Sequence, residues 1–308
     1  MTIRVQACGV AAAIALGLGV TLSAARTEPQ TPQTAVDALL AADEAFSSAN
    51  SRAAGVTGLL TMFAKDVTMP VPGNKFANGI TEVSAALRAN ADLMRSKVAW
   101  QPVRGGISAD GLHGFTFGYL TVWPPNGTAV GFKYLSYWVK QPLGWRVVAY
   151  KRRRRAEGPV SFTRMPPALP SQLTAMKPDA MTLAQYHETL DQTERAFSTE
   201  AQRIGIGPAF TKYGSADAVN MGGPNDAAFV QGSEAIGRSV GAGAPPDSSP
   251  VSWGPDRVMV ASSGDLGITF GMIRPNAPDD KGETPPPVPF FTIWRRASVT
   301  DPWRYVAE

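Results

Sequence analysis

Gly114-Phe115-Thr116-Phe117-Gly118 and Gly267-Ile268-Thr269-Phe270-Gly271 are one five-residue pattern written twice, and the reading of the whole chain turns on that repetition. Working outward, the echo continues in order. Asp43-Glu44-Ala45-Phe46-Ser47 returns as Glu194-Arg195-Ala196-Phe197-Ser198, and Gly55 and Phe63 find counterparts in Gly205 and Tyr213. Val67-Thr68-Met69 matches Val219-Asn220-Met221, and Phe76 and Gly79 match Phe229 and Gly232. Trp100 and Arg104 return as Trp253 and Arg257, Trp138 as Trp294, and Trp145-Arg146-Val147-Val148 as Trp303-Arg304-Tyr305-Val306. A preserved order with a slowly drifting offset is the signature of duplication.

Each copy opens with a helix. Val36, Leu39, Leu40, Asp43, Phe46 and Ser47 recur at three- and four-residue steps, as do Leu183, Tyr186, Leu190, Glu194 and Phe197. Shorter helices are expected around 55–65 and 80–94, matched by 205–213 and 233–241. The remainder alternates as strands around 98–104, 114–122, 131–141 and 145–151, with turns such as Pro124-Pro125-Asn126-Gly127 between. Helices first and an antiparallel meander after define an α+β class, with helices packed on one sheet face. The expected division is 1–25 as a signal peptide, 33–155 as the first domain, 156–181 as a Pro- and Ser-rich linker, and 182–308 as the second domain.

The signal reading rests on a charged start at Arg4, an apolar stretch from Ala7 to Leu22, and Ser23-Ala24-Ala25 as a small-residue exit. The apolar stretch is about 16–18 residues, short of the roughly 20 that span a bilayer, so no stable membrane insertion is expected after cleavage. Export to the periplasm or medium follows. Removal at Ala25 would take the single cysteine, Cys8, and with it disulfides, thiolate metal sites and thiol nucleophiles. Among 308 residues 44% are hydrophobic and 18% charged, with a net charge of +4, a balance that points away from nucleic acid. The basic run Lys151-Arg152-Arg153-Arg154-Arg155 caps the last strand of the first copy and reads as a solvated strand end; contact with an anionic surface is the alternative.

Three landmarks of the second copy carry a resemblance: Glu194-Arg195-Ala196-Phe197, Ser263 to Gly271, and Phe291-Thr292-Ile293-Trp294-Arg295-Arg296. They resemble the SnoaL-like, nuclear transport factor 2-like superfamily, and more narrowly a widespread bacterial branch of unknown function. The two copies together cover nearly the whole mature chain. The resemblance implies two tandem cone-shaped, cystatin-like domains, each a curved antiparallel sheet wrapped around its first helix with a pocket at the open end. It implies a small apolar or aromatic molecule as partner, or an isomerase, dehydratase or hydrolase without cofactor, or a module with filled pockets that only assembles. It also implies pairing through the backs of the sheets, here as an intramolecular pseudo-dimer.

Enzymes of that superfamily use pocket carboxylates, histidines or tyrosines. His113 and His187 are the only histidines, and neither is repeated: their twins are Leu266 and Val36. With no cysteine and no His pair, neither a metal nor another cofactor is expected. Asp43 and Glu194 are the carboxylate candidates, both on the apolar face of the leading helix, where burial would raise the pKa and make a proton carrier. The alternative is an ion pair with Arg104 or Arg257 holding helix to sheet. Strand alternation sets Tyr134 and Trp138 on one face, with Phe290 and Trp294 as counterparts, and places Trp100 with Arg104 and Trp253 with Arg257. Aromatic walls with one cation suit a flat, weakly anionic organic ligand, and sheet packing would use the same residues. No Gly-x-Ser-x-Gly elbow, phosphate loop or dinucleotide fingerprint is present.

Overall fold

The computed structural model describes residues 30–53, 55–175 and 177–308; the expected signal peptide lies outside them. The first half runs α1 (Pro32–Ser51), α2 (Thr57–Thr61), β1 (Phe63–Val71), β2 (Lys75–Asn78), α3 (Gly79–Arg88), α4 (Ala91–Arg95), β3 (Lys97–Ile107), β4 (His113–Trp123), β5 (Val130–Gln141) and β6 (Gly144–Arg154). The second runs α5 (Ala180–Ile204), α6 (Ile206–Tyr213), β7 (Gly214–Asn220), β8 (Val230–Gln231), α7 (Ser233–Val240), β9 (Val251–Val260), β10 (Leu266–Pro275), β11 (Val288–Arg295) and β12 (Arg304–Ala307). Strand orders are β2-β1-β6-β5-β4-β3 and β8-β7-β12-β11-β10-β9, the same path twice. The class is α+β, with two six-stranded sheets each carrying its own helices.

Local chemistry sets the leading helices. Thr31 caps α1 by accepting the Thr34 amide at 3.1 Å, with Pro32 at the first helical position, and Asp179 caps α5 by accepting the Thr182 amide at 2.7 Å. The face of α1 turned to the sheet buries Ala35, Val36, Leu39, Asp43, Ser47 and Asn50; that of α5 buries Tyr186, Leu190, Glu194, Phe197, Ser198 and Ala201. Gly114 and Gly267 admit these helices. A Cβ at Gly114 would lie 2.5 Å from Leu39 Cδ2 and 2.7 Å from the Gly106 carbonyl, and one at Gly267 2.6 Å from Leu190 Cδ2 and 2.9 Å from the Met259 carbonyl, so a side chain there would crowd both the helix and the neighbouring strand.

Four expectations need correction. The stretch 55–65 is not one helix: α2 ends at Thr61 and Lys65 already belongs to β1. The sheets are not purely antiparallel, since β1 pairs parallel with β6 and β7 with β12. These pairings join strands far apart in sequence and leave no hairpin signal. The alignments of Phe63 with Tyr213 and of Val67-Thr68-Met69 with residues 219–221 are one position out: Phe63 stands opposite Val147 and Gly214 opposite the equivalent Tyr305. Thr68 stands opposite Ala149 and Val219 opposite Ala307, so Thr68 matches Val219 and Val67 matches Ala218. The helix expected over 80–94 is divided, because Asn90 caps a new turn by accepting the Leu93 amide at 2.9 Å.

The outer faces of the two sheets bury each other. One apolar cluster draws Phe115, Phe117, Leu135 and Tyr137 from the first half and Ile268, Phe270, Phe291 and Ile293 from the second. Charged side chains cross the seam in reciprocal fashion. Arg104 of β3 bonds the side chain and the carbonyl of Asp217 in β7, while Arg257 of β9 reaches β1, donating to Thr68 Oγ1 at 2.6 Å. Between the halves, residues 156–175 run irregularly, with Met165 and Ala168 bonded to β3: Ala168 exchanges backbone bonds with Gly105 and Ile107. No helix among the described residues is long and apolar enough to cross a membrane.

Candidate functional site

Inside each half, the same side chains gather around one carboxylate. In the first, Trp100 Nε1 donates to Asp43 Oδ1 at 2.6 Å and the Tyr134 hydroxyl to Oδ2 at 2.8 Å, while Trp138 Nε1 donates to Thr116 Oγ1 at 2.9 Å. Ser47 clips the helix to β3 by accepting the Trp100 amide at 2.8 Å. In the second, Trp253 Nε1 donates to Glu194 Oε1 at 2.8 Å, and Thr269 Oγ1 and Trp294 Nε1 donate to Oε2 at 2.5 and 3.0 Å. Ser198 accepts the Trp253 amide at 2.9 Å. Both carboxylates are fully buried. Neither is paired with Arg104 or Arg257, so the ion-pair alternative is removed.

The displacement of those arginines has a local cause. The ladder between β3 and β4 slips between Pro102 and Arg104, and that between β9 and β10 slips at Phe270 and Gly271, opposite Arg257 and Pro255. An extra residue in a strand inverts every later side chain, so Arg104 leaves the face of Trp100 and Arg257 that of Trp253. Both point outward into the seam. The other six aromatic positions stay inside. Trp100, Tyr134 and Trp138 sit in the first core, while Trp253 and Phe290 border open space and Trp294 lies behind them against Glu194.

That open space is a cavity of about 780 Å³ in the second half, within the range of small-molecule pockets. Glu194 lies at its floor, with Phe197, Phe210, Trp253, Ile273 and Phe290 as apolar wall and Asn220, Glu308 and Lys151 at one side. Asp43 does not border it. The first half closes its equivalent space with side chains: Tyr134 and Tyr150 stack at 6.5 Å and Phe63 packs on Tyr150 at 5.4 Å.

Burial pushes the Glu194 carboxyl up to about 7, against the opposing pull of Thr269, Trp253 and Trp294, and pushes Asp43 up to about 6. Glu308 is raised by burial against the opposing pull of Lys151, with Glu194 adding to the rise, while its carboxylate accepts Asn220 Nδ2 at 2.9 Å. Both charge states of Glu194 can be satisfied. Trp294 Nε1 also lies 3.1 Å from Thr269 Oγ1, and Thr269 Oγ1 lies 3.4 Å from the Thr292 carbonyl. A protonated Glu194 can therefore donate to Thr269, which turns to Thr292 while Trp294 keeps an acceptor. His113, half-buried on β4, meets the Tyr137 hydroxyl at 3.0 Å in the seam, and burial holds its pKa below the ordinary value. No group of His, Cys, Asp and Glu able to hold a metal occurs among the described residues.

Sequence reasoning missed Glu308, Asn220 and Lys151. Glu308 occupies the place of Tyr150: Ala149 and Ala307, one residue earlier, pair with the equivalent Tyr137 and Ile293. The aligned Trp-Arg segments pointed to that equivalence, but a carboxylate replacing a tyrosine at the strand end gave no motif.

No protein-family model matches the sequence, and no curated protein matches it. Among solved structures, the chain is similar to a ketosteroid isomerase-like protein from Erwinia carotovora atroseptica, at 16% identity and a TM-score of 0.33, over 40% of this chain and 97% of that one. It is similar to an NTF2-like protein of unknown function from Pseudomonas putida, at 10% identity and a TM-score of 0.33, over 42% and 92%. A domain of unknown function with a cystatin-like fold from Nostoc punctiforme is similar at 15% identity and a TM-score of 0.31, over 38% and 77%. The structural neighbours of this chain are thus NTF2-like, ketosteroid isomerase-like and cystatin-like proteins, each matching a stretch about the length of one half.

Proposed function

We propose that the chain is an exported binder of a small organic molecule, with the site in the second half and the first half serving as its scaffold. One observation carries this reading: equivalent positions of the two halves enclose a cavity of about 780 Å³ around Glu194 but a packed core around Asp43. Aromatic walls with a hydrogen-bonding floor suit a flat apolar body carrying one polar group. The neutral fluorophore N-phenyl-naphthylamine tests it. Its emission is expected to rise on binding with one equivalent per chain, and Val240→Trp, at the cavity wall, is expected to abolish the rise. No enhancement with the native chain, or an undiminished one in the variant, overturns the reading. Export is tested by the mature mass in cell fractions, expected to begin at Arg26; an intact N-terminus in the cytosol refutes it.

A second reading, proton transfer on the bound molecule, is favoured by the placement of Glu194. A carboxyl held near 7 in a cavity, with partners for both its charge states, is equipped to take and return a proton. Glu194→Gln with turnover unchanged on any substrate found would remove it.

A further inference from the structure

One edge of the first sheet is covered, and its twin in the second is bare. The segment between the halves runs parallel to β3. Met165 N donates to the Val103 carbonyl at 2.8 Å, Ala168 N to that of Gly105 at 3.0 Å, and Ile107 N to the Ala168 carbonyl at 3.1 Å. Gly105 pairs with Thr116 and Val258 with the equivalent Thr269, so Val103, Gly105 and Ile107 have Asp256, Val258 and Val260 as counterparts. Among the described residues no strand lies beyond β9, and no backbone bond reaches its outer edge at these three positions. Exposure follows the same division. Val103 and Arg104 are 2% and 4% exposed and Gly105 and Gly106 are buried, whereas Asp256 and Arg257 are exposed and Val258 and Met259 partly so.

Proline, a bulge and charge are the usual means of blunting a sheet edge. They do not close this one. Pro255 and the bulge at Asp256 have counterparts in Pro102 and Val103, and the first half takes a strand over both. A bare edge with the bulge of a covered one is a template for strand addition. The occupant of the covered edge shows what fits: an extended segment with two prolines between its bonded residues, setting Met165 and Ala168 against the apolar seam. One anchor differs. Arg295 donates to the Ala168 carbonyl at 2.8 Å, and its counterpart in the first sheet is Val139, so an added strand at β9 would rely on backbone bonds and on Met259. Residues 256–260 do not border the cavity, and this surface is independent of it.

We propose that the edge of β9 from Asp256 to Val260 docks an extended peptide segment of another protein, running parallel to β9 and similar in character to Met165-Pro166-Pro167-Ala168. Its amides donate to the carbonyls of Asp256 and Val258, and one of its carbonyls accepts the Val260 amide. The duplicated fold thus uses one edge for its own linker and offers the equivalent edge to a partner.

The probe is a fluorescein-labelled peptide of the linker's own sequence, Ser161 to Leu169, titrated onto the full chain and followed by anisotropy. Saturable binding is expected, weakened at least about tenfold when the peptide is N-methylated at its Ala168 nitrogen, the equivalent of one lost hydrogen bond. Val258→Pro should weaken it as much, because the Val258 amide faces away from β10 and a proline ring there obstructs an added strand without breaking the ladder. Absence of binding, or binding indifferent to both changes, overturns the proposal. Should Val258→Pro fail to fold, hydrogen exchange on the native chain decides: saturating peptide should slow the Val260 amide at least about tenfold, and an unchanged rate sinks the idea. A native chain that sediments as a dimer, and as a monomer once Val258→Pro is made, assigns the edge to a second copy and overturns the peptide.

Discussion

The two halves share a helix, a sheet and a hydrogen-bonded latch, and they differ in what fills the space beside it. Asp43 and Glu194 are each met by a tryptophan of β3 or β9, and Ser47 and Ser198 fasten the same helix position to the same strand. Around that constant part the volumes change. Tyr134 of the first half, whose hydroxyl reaches Asp43, becomes Phe290, which has none to offer. Tyr150 becomes Glu308. Phe63 opposite Val147 becomes Gly214 opposite Tyr305, a large residue exchanged across the pair. Duplication kept the polar contacts that fix helix to sheet and let the packing drift until one copy closed and the other opened. A buried carboxylate with several donors tolerates little change, because losing it strands every donor, whereas apolar volume can be redistributed between neighbours.

The largest effect expected from that difference is on stability. Asp43→Ala leaves the Trp100 Nε1 and the Tyr134 hydroxyl without acceptors in a sealed core and should cost about 4 kcal/mol. Glu194→Ala, beside open space that water can enter, should cost at least about 1 kcal/mol less by urea unfolding. Equal losses would break the distinction between a filled and an open half.

Next comes a dependence on pH. Asp43 and Glu194 hold their protons more tightly in the folded chain than in the unfolded one, so their contribution is complete below about 4. It is lost as pH rises through about 6 for Asp43 and about 7 for Glu194. With each pKa unit worth about 1.4 kcal/mol, native Glu194 should cost the fold up to about 3 kcal/mol between pH 4.5 and 8. Glu194→Gln, which stays neutral, should remove that part of the slope, so that its stability relative to the native chain rises between pH 5 and 8. A constant difference between the two proteins across that range would show that Glu194 titrates as it does in the unfolded chain.

The smallest effect concerns the exchanged pair. A Cβ at Gly214 would lie 2.6 Å from the Tyr305 ring, so Gly214→Phe alone should be destabilising. Adding Tyr305→Val, which restores the first half's arrangement, should recover about 2 kcal/mol in a double-mutant cycle. Additive losses would mean that the two positions are not a compensating pair.

Much of this was legible beforehand, and the failures have physical causes. The carboxylates at Asp43 and Glu194 could be read because a helix repeats every 3.6 residues without interruption, so an acid among Leu39, Phe46 and Ser47 has to face the sheet. The two arginines could not, because alternation along a strand survives only until the first bulge, and neither Val103 nor Asp256 announces one. β1 and β7 escaped notice because their partners, β6 and β12, lie at the far end of each copy and pair in parallel.

From the sequence alone came the duplication, the α+β class of each copy, the helix faces and the pair of equivalent acids, all of them matters of local periodicity or of order along the chain. Tertiary structure decided that the halves bury their sheet backs together, that one interior is filled and the other open, and that Lys151 borders a cavity belonging to the other half. Whether a space is empty depends on the summed volumes of side chains brought together from many strands, and no stretch of sequence contains that sum.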